Sequence, residues 1–91
     1  MSELNLYKNI TIVIVLYQES FELLSKTLNT INSFKKIIID NNGNIELKKK
    51  IKSQFSVDQY ILNKKNNGFS AGYNQGISLS NTEFTLVLGP D

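Results

Sequence analysis

Ile10-Thr-Ile-Val-Ile-Val-Leu-Tyr17 is an almost unbroken β-branched and apolar run. Such residues fit the pleated surface of a sheet, and the lack of polar alternation marks a strand covered on both faces. Double cover of that kind comes from helices packed on each side of a parallel sheet, so this stretch already points to an α/β architecture.

The flanking pattern agrees. Ser20 offers an N-cap, and Phe21, Leu24, Leu28 and Ile31 follow at helical spacing. Lys36-Ile-Ile-Ile-Asp40 reads as a second, short buried strand. It stops at Asn41-Asn42-Gly43-Asn44, residues that favour turns and tolerate positive φ. Leu47, Ile51 and Phe55 give a second amphipathic helix, with Lys48, Lys49, Lys50 and Lys52 mostly toward water. Residues 57–62 read as a third strand, 64–68 as a polar loop, 69–80 as a glycine-containing helix and 84–88 as a fourth strand, closed by Gly89-Pro90-Asp91. The order β-α-β-α-β-α-β with short connections predicts a Rossmann-like parallel sheet with right-handed crossovers and helices on both faces.

The 91 residues, 41% of them hydrophobic, allow one small domain over 1–91 with its own core. All ten basic residues are Lys, and eight acidic ones leave a net charge of +2. So small a charge, without the planar fork of Arg, argues against a nucleic-acid partner. The absence of Cys excludes a disulfide scaffold and a Cys-ligated zinc site, and the absence of His excludes Ser-His-Asp and Cys-His catalysis. Chemistry is left to carboxylates, amides, hydroxyls, Lys and the backbone. Residues 1–9 lack the order of a signal peptide, and the longest apolar run, Ile12 to Leu16, is too short to cross a bilayer. A soluble cytoplasmic protein is the expectation.

In an open parallel sheet, ligands bind beyond the carboxyl ends of the strands, where the strand order reverses. Tyr17, Gln18 and Glu19 fall there, as do Asp40 to Asn42, Asn63 to Gly68, and Gly89 to Asp91. Asp40 reads equally as an Asx-turn residue or as an acceptor for a ribose hydroxyl or base N–H. Tyr17 is either half-buried core or a stacking platform for a planar ring. Glu19 can be a carboxylate favoured at a helix start. Gly68, Gly72 and Gly76 recur every four residues on one helix face, at about 1 kcal/mol each against Ala. They signal either tight helix-on-sheet packing or a ligand pressed against the helix start. Their spacing fits neither G-x-G-x-x-G nor the P-loop. The lysines at 48–50 read as a solvated face; binding to an anionic membrane surface is the lesser reading, since three or four Lys make a weak anchor. Lys64 and Lys65, near the rim, have contact with a diphosphate as their lesser reading.

Four segments in order, Ile12 to Glu19, Ile37 to Gly43, Asn67 to Ile77 and Leu86 to Asp91, resemble the N-terminal half of family 2 glycosyltransferases, in the rhamnosyltransferase-like branch of bacterial surface polysaccharide synthesis. The resemblance implies a GT-A fold whose β/α half binds a nucleoside diphosphate sugar of UDP, dTDP or GDP type. It implies an inverting parent enzyme that passes the sugar to a polysaccharide or glycolipid acceptor. By the same resemblance Tyr17 and Asp40 hold the base with Glu19 nearby. The stretch from Asn67 and Gly68 to Asn74 lines the nucleotide pocket. Asp91 stands in the DXD-like position that contacts Mg²⁺ or Mn²⁺, which would neutralise the departing diphosphate.

Two departures are visible: Gly89 opens that triplet without a side chain, and Gly43-Asn44 stands where Ser and Asp are common in the family. The acceptor half and the catalytic base are expected beyond Asp91, so no catalytic residue is assigned. The chain is expected to be a donor-binding fragment, inactive alone, of a parent at the inner face of the membrane, and a fragment without a cation is the alternative. Cut there, the strand at 84–88 becomes an apolar edge, which predicts a homodimer or larger assembly. The rival reading is a non-catalytic Rossmann-like module with a structural or protein-binding role. A nucleotidyltransferase is disfavoured because a glycine-rich loop after the first strand is missing.

Overall fold

In the computed structural model, which describes residues 7–66 and 68–89, the β-branched run forms β1 (Ile10–Leu16), buried from Thr11 to its end. The chain continues through α1 (Phe21–Thr30), β2 (Lys35–Asp40), α2 (Ile45–Gln54), β3 (Gln59–Leu62), α3 (Phe69–Leu79) and β4 (Phe84–Leu88). All pairings are parallel, in the order β3-β2-β1-β4. The expected α/β class and strand sequence are those observed.

Alternation along β1 divides the core. Ile12, Ile14 and Leu16 point to one face, where Leu24, Leu28 and Ile31 of the α1 region and Leu47 and Ile51 of α2 cover them. Val13 and Val15 point to the other, with Ile37 and Ile39 of β2, beneath α3. Two crossovers step outward from β1 to β3, and the third returns past β1 to β4. A constant crossover hand then requires the third helix on the opposite face, where α3 lies.

Local signals set the helix starts. Ser20 accepts the Leu23 N–H at 3.2 Å and Asn44 accepts the Leu47 N–H at 3.0 Å, each capping its helix. Lys50 of α2 lies over the Phe21 ring, 4.4 Å from its centroid, so this exposed lysine also ties the two helices together. β3 starts at Gln59, two residues later than the sequence suggests. Asp58 explains the difference: its Oδ1 accepts the Lys36 N–H at 2.9 Å and its own N–H donates to the Lys36 carbonyl at 3.0 Å. A side chain thus takes one ladder position before the strands pair.

The glycine face of α3 resolves into two functions. A Cβ on Gly72 would lie 2.7 Å from Val15 Cγ1, and one on Gly76 would collide with Val13 Cγ1. These two glycines let the helix backbone sit directly on β1. Gly68 differs: its φ is +89° and a Cβ there would meet nothing. It serves the turn into α3 rather than the packing.

Gly76→Ala is therefore expected to destabilise the chain by about 1–3 kcal/mol through overpacking, despite the ~1 kcal/mol that Ala gains over Gly in a helix. Combining it with Val13→Ala is expected to recover at least about 1 kcal/mol relative to the sum of the single losses. Urea unfolding of the four variants checks this, and simple additivity would contradict the close contact.

Candidate functional site

The register aligns the carboxyl ends of three strands. Leu16 stands opposite Asp40, and Asp40 opposite Leu62. Strand order reverses between β1 and β4, where Leu88 pairs with Ile14. Polar groups collect beyond these ends as expected from the sequence.

β1 stops at Leu16, one residue before the end of the apolar run, and Tyr17 follows directly on it, 42% exposed. Its backbone N–H donates to Glu19 Oε2 at 2.6 Å. Glu19 thus closes a tight loop at the strand end and fixes the backbone that carries the phenol. Both lie beside the point where strand order reverses.

Asp40 is 1% exposed, and protein donors engage both of its oxygens. Oδ1 accepts the Asn42 N–H at 2.9 Å, while Oδ2 accepts the Asn44 N–H at 3.3 Å and the Tyr60 hydroxyl at 2.8 Å. The Asx-turn reading of this residue is therefore present in the structure. A buried carboxylate without such partners would carry a severe desolvation cost. With them, it ties the end of β2, the 41–44 turn, the start of α2 and the middle of β3 to one point. The Asp40 carbonyl adds the Asn63 N–H at 2.9 Å and the Gly43 N–H at 3.3 Å. Gly43 has φ +61°, and a Cβ there would sit 2.9 Å from the Asn63 carbonyl. The turn cluster thus needs its glycine for both conformation and space.

Three amide side chains form a second network. Asn63 Nδ2 donates to Asn41 Oδ1 and to Gln75 Oε1, both at 2.8 Å, and Gln75 Nε2 returns to Asn63 Oδ1 at 3.2 Å. Asn41 Nδ2 donates to the Gly68 carbonyl at 3.2 Å. Alongside lies an open cleft of about 350 Å³ bounded by Asn42, Gly43, Ile45, Leu62, Asn63 and Lys64. Gly68 is the exposed N-cap of α3, with no side-chain cap. Asn74 is exposed. At about 100° per residue it lies some 200° around α3 from Gly72, which faces the sheet, so it points away from Tyr17 and Asp40. Asn67 and Asp91 lie outside the described residues.

Sequence reasoning passed over Tyr60, Asn63, Gln75 and Lys36 as individual residues. Tyr60 had one signal: a buried Asp40 needs a donor from a neighbouring strand. Lys36 sits at the opposite end of β2, buried, with Nζ donating to the Phe34 carbonyl at 2.8 Å and the Asn32 carbonyl at 3.1 Å. Burial pushes its ammonium below the usual lysine range, with Asp58 opposing. The unfolded chain then keeps this proton to higher pH, so the contribution of Lys36 to stability rises with pH up to the ordinary value of 10.5.

A parallel sheet ordered 3-2-1-4, with helices on both faces and polar groups beyond its carboxyl ends, defines a Rossmann-like domain with the architecture of a GT-A N-terminal half. The family model of Glycosyl transferase family 2 matches residues 11–91, so the chain belongs to that family. No curated protein and no solved structure matches it. The match spans the sheet and all three helices between its strands. Among the described residues, no group of three acidic side chains comes together to hold a cation, and no helix is long and apolar enough to cross a membrane.

Burial, then the hydrogen bond to Asp40, raises the Tyr60 pKa well above its ordinary value of 10.0. The folded chain therefore holds this proton where the unfolded chain releases it, and stability falls as pH rises past about 10. Tyr60→Phe is expected to cost about 1–3 kcal/mol by leaving Asp40 short of a donor. It is also expected to remove that alkaline loss. Urea midpoints of both proteins between neutral and strongly alkaline pH test this, and parallel pH profiles would contradict it.

Proposed function

We propose that this domain binds the nucleoside diphosphate sugar donor of a family 2 glycosyltransferase. The observation that carries the reading is Tyr17: an exposed tyrosine follows directly on the buried central strand, at the reversal of strand order. An aromatic face there suits a nucleobase, since stacking on any base contributes about 1–3 kcal/mol. Asp40 and Glu19 support the same site from within, the first by shaping the turn against which the base would rest. Gly68 opens α3 nearby, and Lys64 lines the adjacent cleft with a charge suited to a diphosphate. Asn67 belongs to the reading by resemblance; Asn74 does so as well, although it points away from Tyr17 and Asp40.

Within the family we assign the chain to the rhamnosyltransferase-like branch, on the motifs of its sequence alone, with UDP, dTDP and GDP as the candidate carriers. The parent would be inverting, would act on a polysaccharide or glycolipid acceptor at the cytoplasmic face of the membrane, and would carry its catalytic base elsewhere. Gly89 has no side chain to offer a cation, and among the described residues no cluster of acidic side chains stands ready for one. Mg²⁺ or Mn²⁺ at Asp91 is part of the proposal. Membership of the family favours this reading over that of a purely structural module.

A second proposal concerns assembly. Among the described residues β4 pairs with β1 on one side only, and Phe84, Leu86 and Val87 are exposed along it. Its uncharged sequence, Phe84 to Leu88, lacks the lysines that usually protect an edge. Two copies pairing along β4 about a two-fold axis would satisfy the free backbone groups. Sedimentation equilibrium is expected to show concentration-dependent association of the 91-residue chain, and a monomer at high micromolar concentration would overturn this.

Calorimetric titration with UDP, dTDP and GDP, with and without Mn²⁺, is expected to give saturable binding of at least one. Tyr17→Ala should weaken it about 5- to 100-fold, the equivalent of ~1–3 kcal/mol of stacking. Absence of binding by all three at millimolar ligand would remove the donor-binding reading.

A further inference from the structure

Asn41 follows directly on β2 and is almost wholly buried. Its backbone N–H continues the ladder to the Leu16 carbonyl at 2.8 Å, so its side chain is set by the sheet itself. That side chain meets two residues far apart in sequence. Oδ1 accepts from Asn63, and Nδ2 donates to the carbonyl of Gly68. Asn63 and Gly68 flank residues 64–67, which include Lys64 and Lys65, so one buried amide bonds to both residues that bracket the basic stretch. The reciprocal pair between Asn63 and Gln75 adds a hold on the second turn of α3. The Gly68 carbonyl also accepts the Gly72 N–H at 3.2 Å, which links Asn41 to the first turn of that helix.

The bonds are directional. Asn63 spends one N–H on each neighbour, which fixes which end of each amide faces the other. Such a network, formed in partial burial, specifies geometry more than it adds stability. What it specifies is the position of Lys64 at the mouth of the cleft and of the start of α3, relative to the end of β2.

We infer that Asn41 is a positioning residue of the donor site: it touches no donor atom and places the Lys64 side of the cleft where the diphosphate would lie. This rests on the donor-binding reading above. Asn41→Leu is the discriminating variant, being uncharged and close in size. In it Asn63 keeps its bonds to Gln75 and Gly68 keeps the Gly72 N–H, so cooperative unfolding is expected to survive.

The probes are UDP, dTDP and GDP, each paired with its nucleoside, in calorimetric titrations of wild type, Asn41→Leu, Lys64→Met and the double variant. Amide exchange at Gly72 and Gly76 is followed by NMR. Asn41→Leu is expected to weaken the diphosphate about tenfold and its nucleoside less than threefold. Lys64→Met should add little in that background. Exchange at Gly72 should quicken about tenfold while Gly76 stays unchanged. If Asn41→Leu does not fold, Gln75→Leu is expected to move the same readouts in the same direction by a smaller factor. Equal losses for nucleoside and diphosphate, additive effects of the two substitutions, or unchanged exchange at Gly72 would overturn the positioning role. Wild type that binds none of the three diphosphates would remove the donor reading and this role with it. Wild type that binds while the variant binds equally well would overturn the positioning role alone.

Discussion

The buried carboxylate of Asp40 is the constraint on which the rim depends. An ionised group removed from water must find donors, and here they come from three directions: the turn after β2, the approach to α2 and the hydroxyl of Tyr60 on β3. Two of the donors lie in the 41–44 turn, whose last residue caps α2, and the third stands on β3. Satisfying one side chain therefore fixes the turn, the start of a helix and the neighbouring strand against one another. The Asp40 carbonyl, bonded to the N–H groups of Asn63 and Gly43, extends the same anchor to the loop after β3. The 41–44 turn can then carry Gly43 at positive φ hard against Asn63, because neither residue is free to drift.

The opposite face of the sheet is held in another way. α3 meets β1 through Gly72 and Gly76, bringing backbone against Val15 and Val13 with no side chain between. Close approach there brings Gln75 within reach of Asn63, and Gly68 within reach of Asn41. Shape complementarity on one face thus lets polar groups meet at the rim. The far pole is built from other parts: a buried Lys36 beside Asp58, and linked hydroxyls of Thr11, Thr82, Ser80 and Thr85. Those groups bond mainly to one another and to backbone, which is the pattern of a structural seam. A cleft of about 130 Å³ lies among them, between Thr11, Asp58 and Ser80; the carboxyl rim leaves Tyr17 exposed and a larger cleft, about 350 Å³, beside Lys64.

Much of this was legible in the sequence because it rests on local pattern. The unbroken apolar run at 10–17 specified a doubly covered strand, Ser20 specified a helix start, and the 41–44 cluster specified a turn. Topology followed from the alternation of elements. What was not legible depended on register. Whether Asp40 faces a ligand or the interior is decided by Tyr60 standing where it can donate, and that requires Ile38 opposite Tyr60 rather than a slip of one residue. The amide network joins positions 41, 63, 68 and 75, which no spacing rule connects. The three glycines looked equivalent by period, yet only two face a neighbour, because Gly68 lies at the turn before the helix has begun. Lys36 stands near the start of its strand with no local sign of its role, yet its long stem lets the residue bury and its ammonium cap the carbonyls of Phe34 and Asn32.

On the proposed function, a nucleoside diphosphate binds at the carboxyl rim, organised from within by Asp40 and the amides. Amide shift mapping by two-dimensional NMR tests it most directly, with UDP, dTDP and GDP titrated in turn into the ¹⁵N-labelled chain. Shifts are expected to concentrate at Tyr17 to Glu19, Asn41 to Gly43, Asn63 to Asn66 and the first turn of α3, while Thr11, Lys36, Asp58 and Ser80 stay still. Shifts centred on that second set, or spread evenly over the sheet, would contradict it.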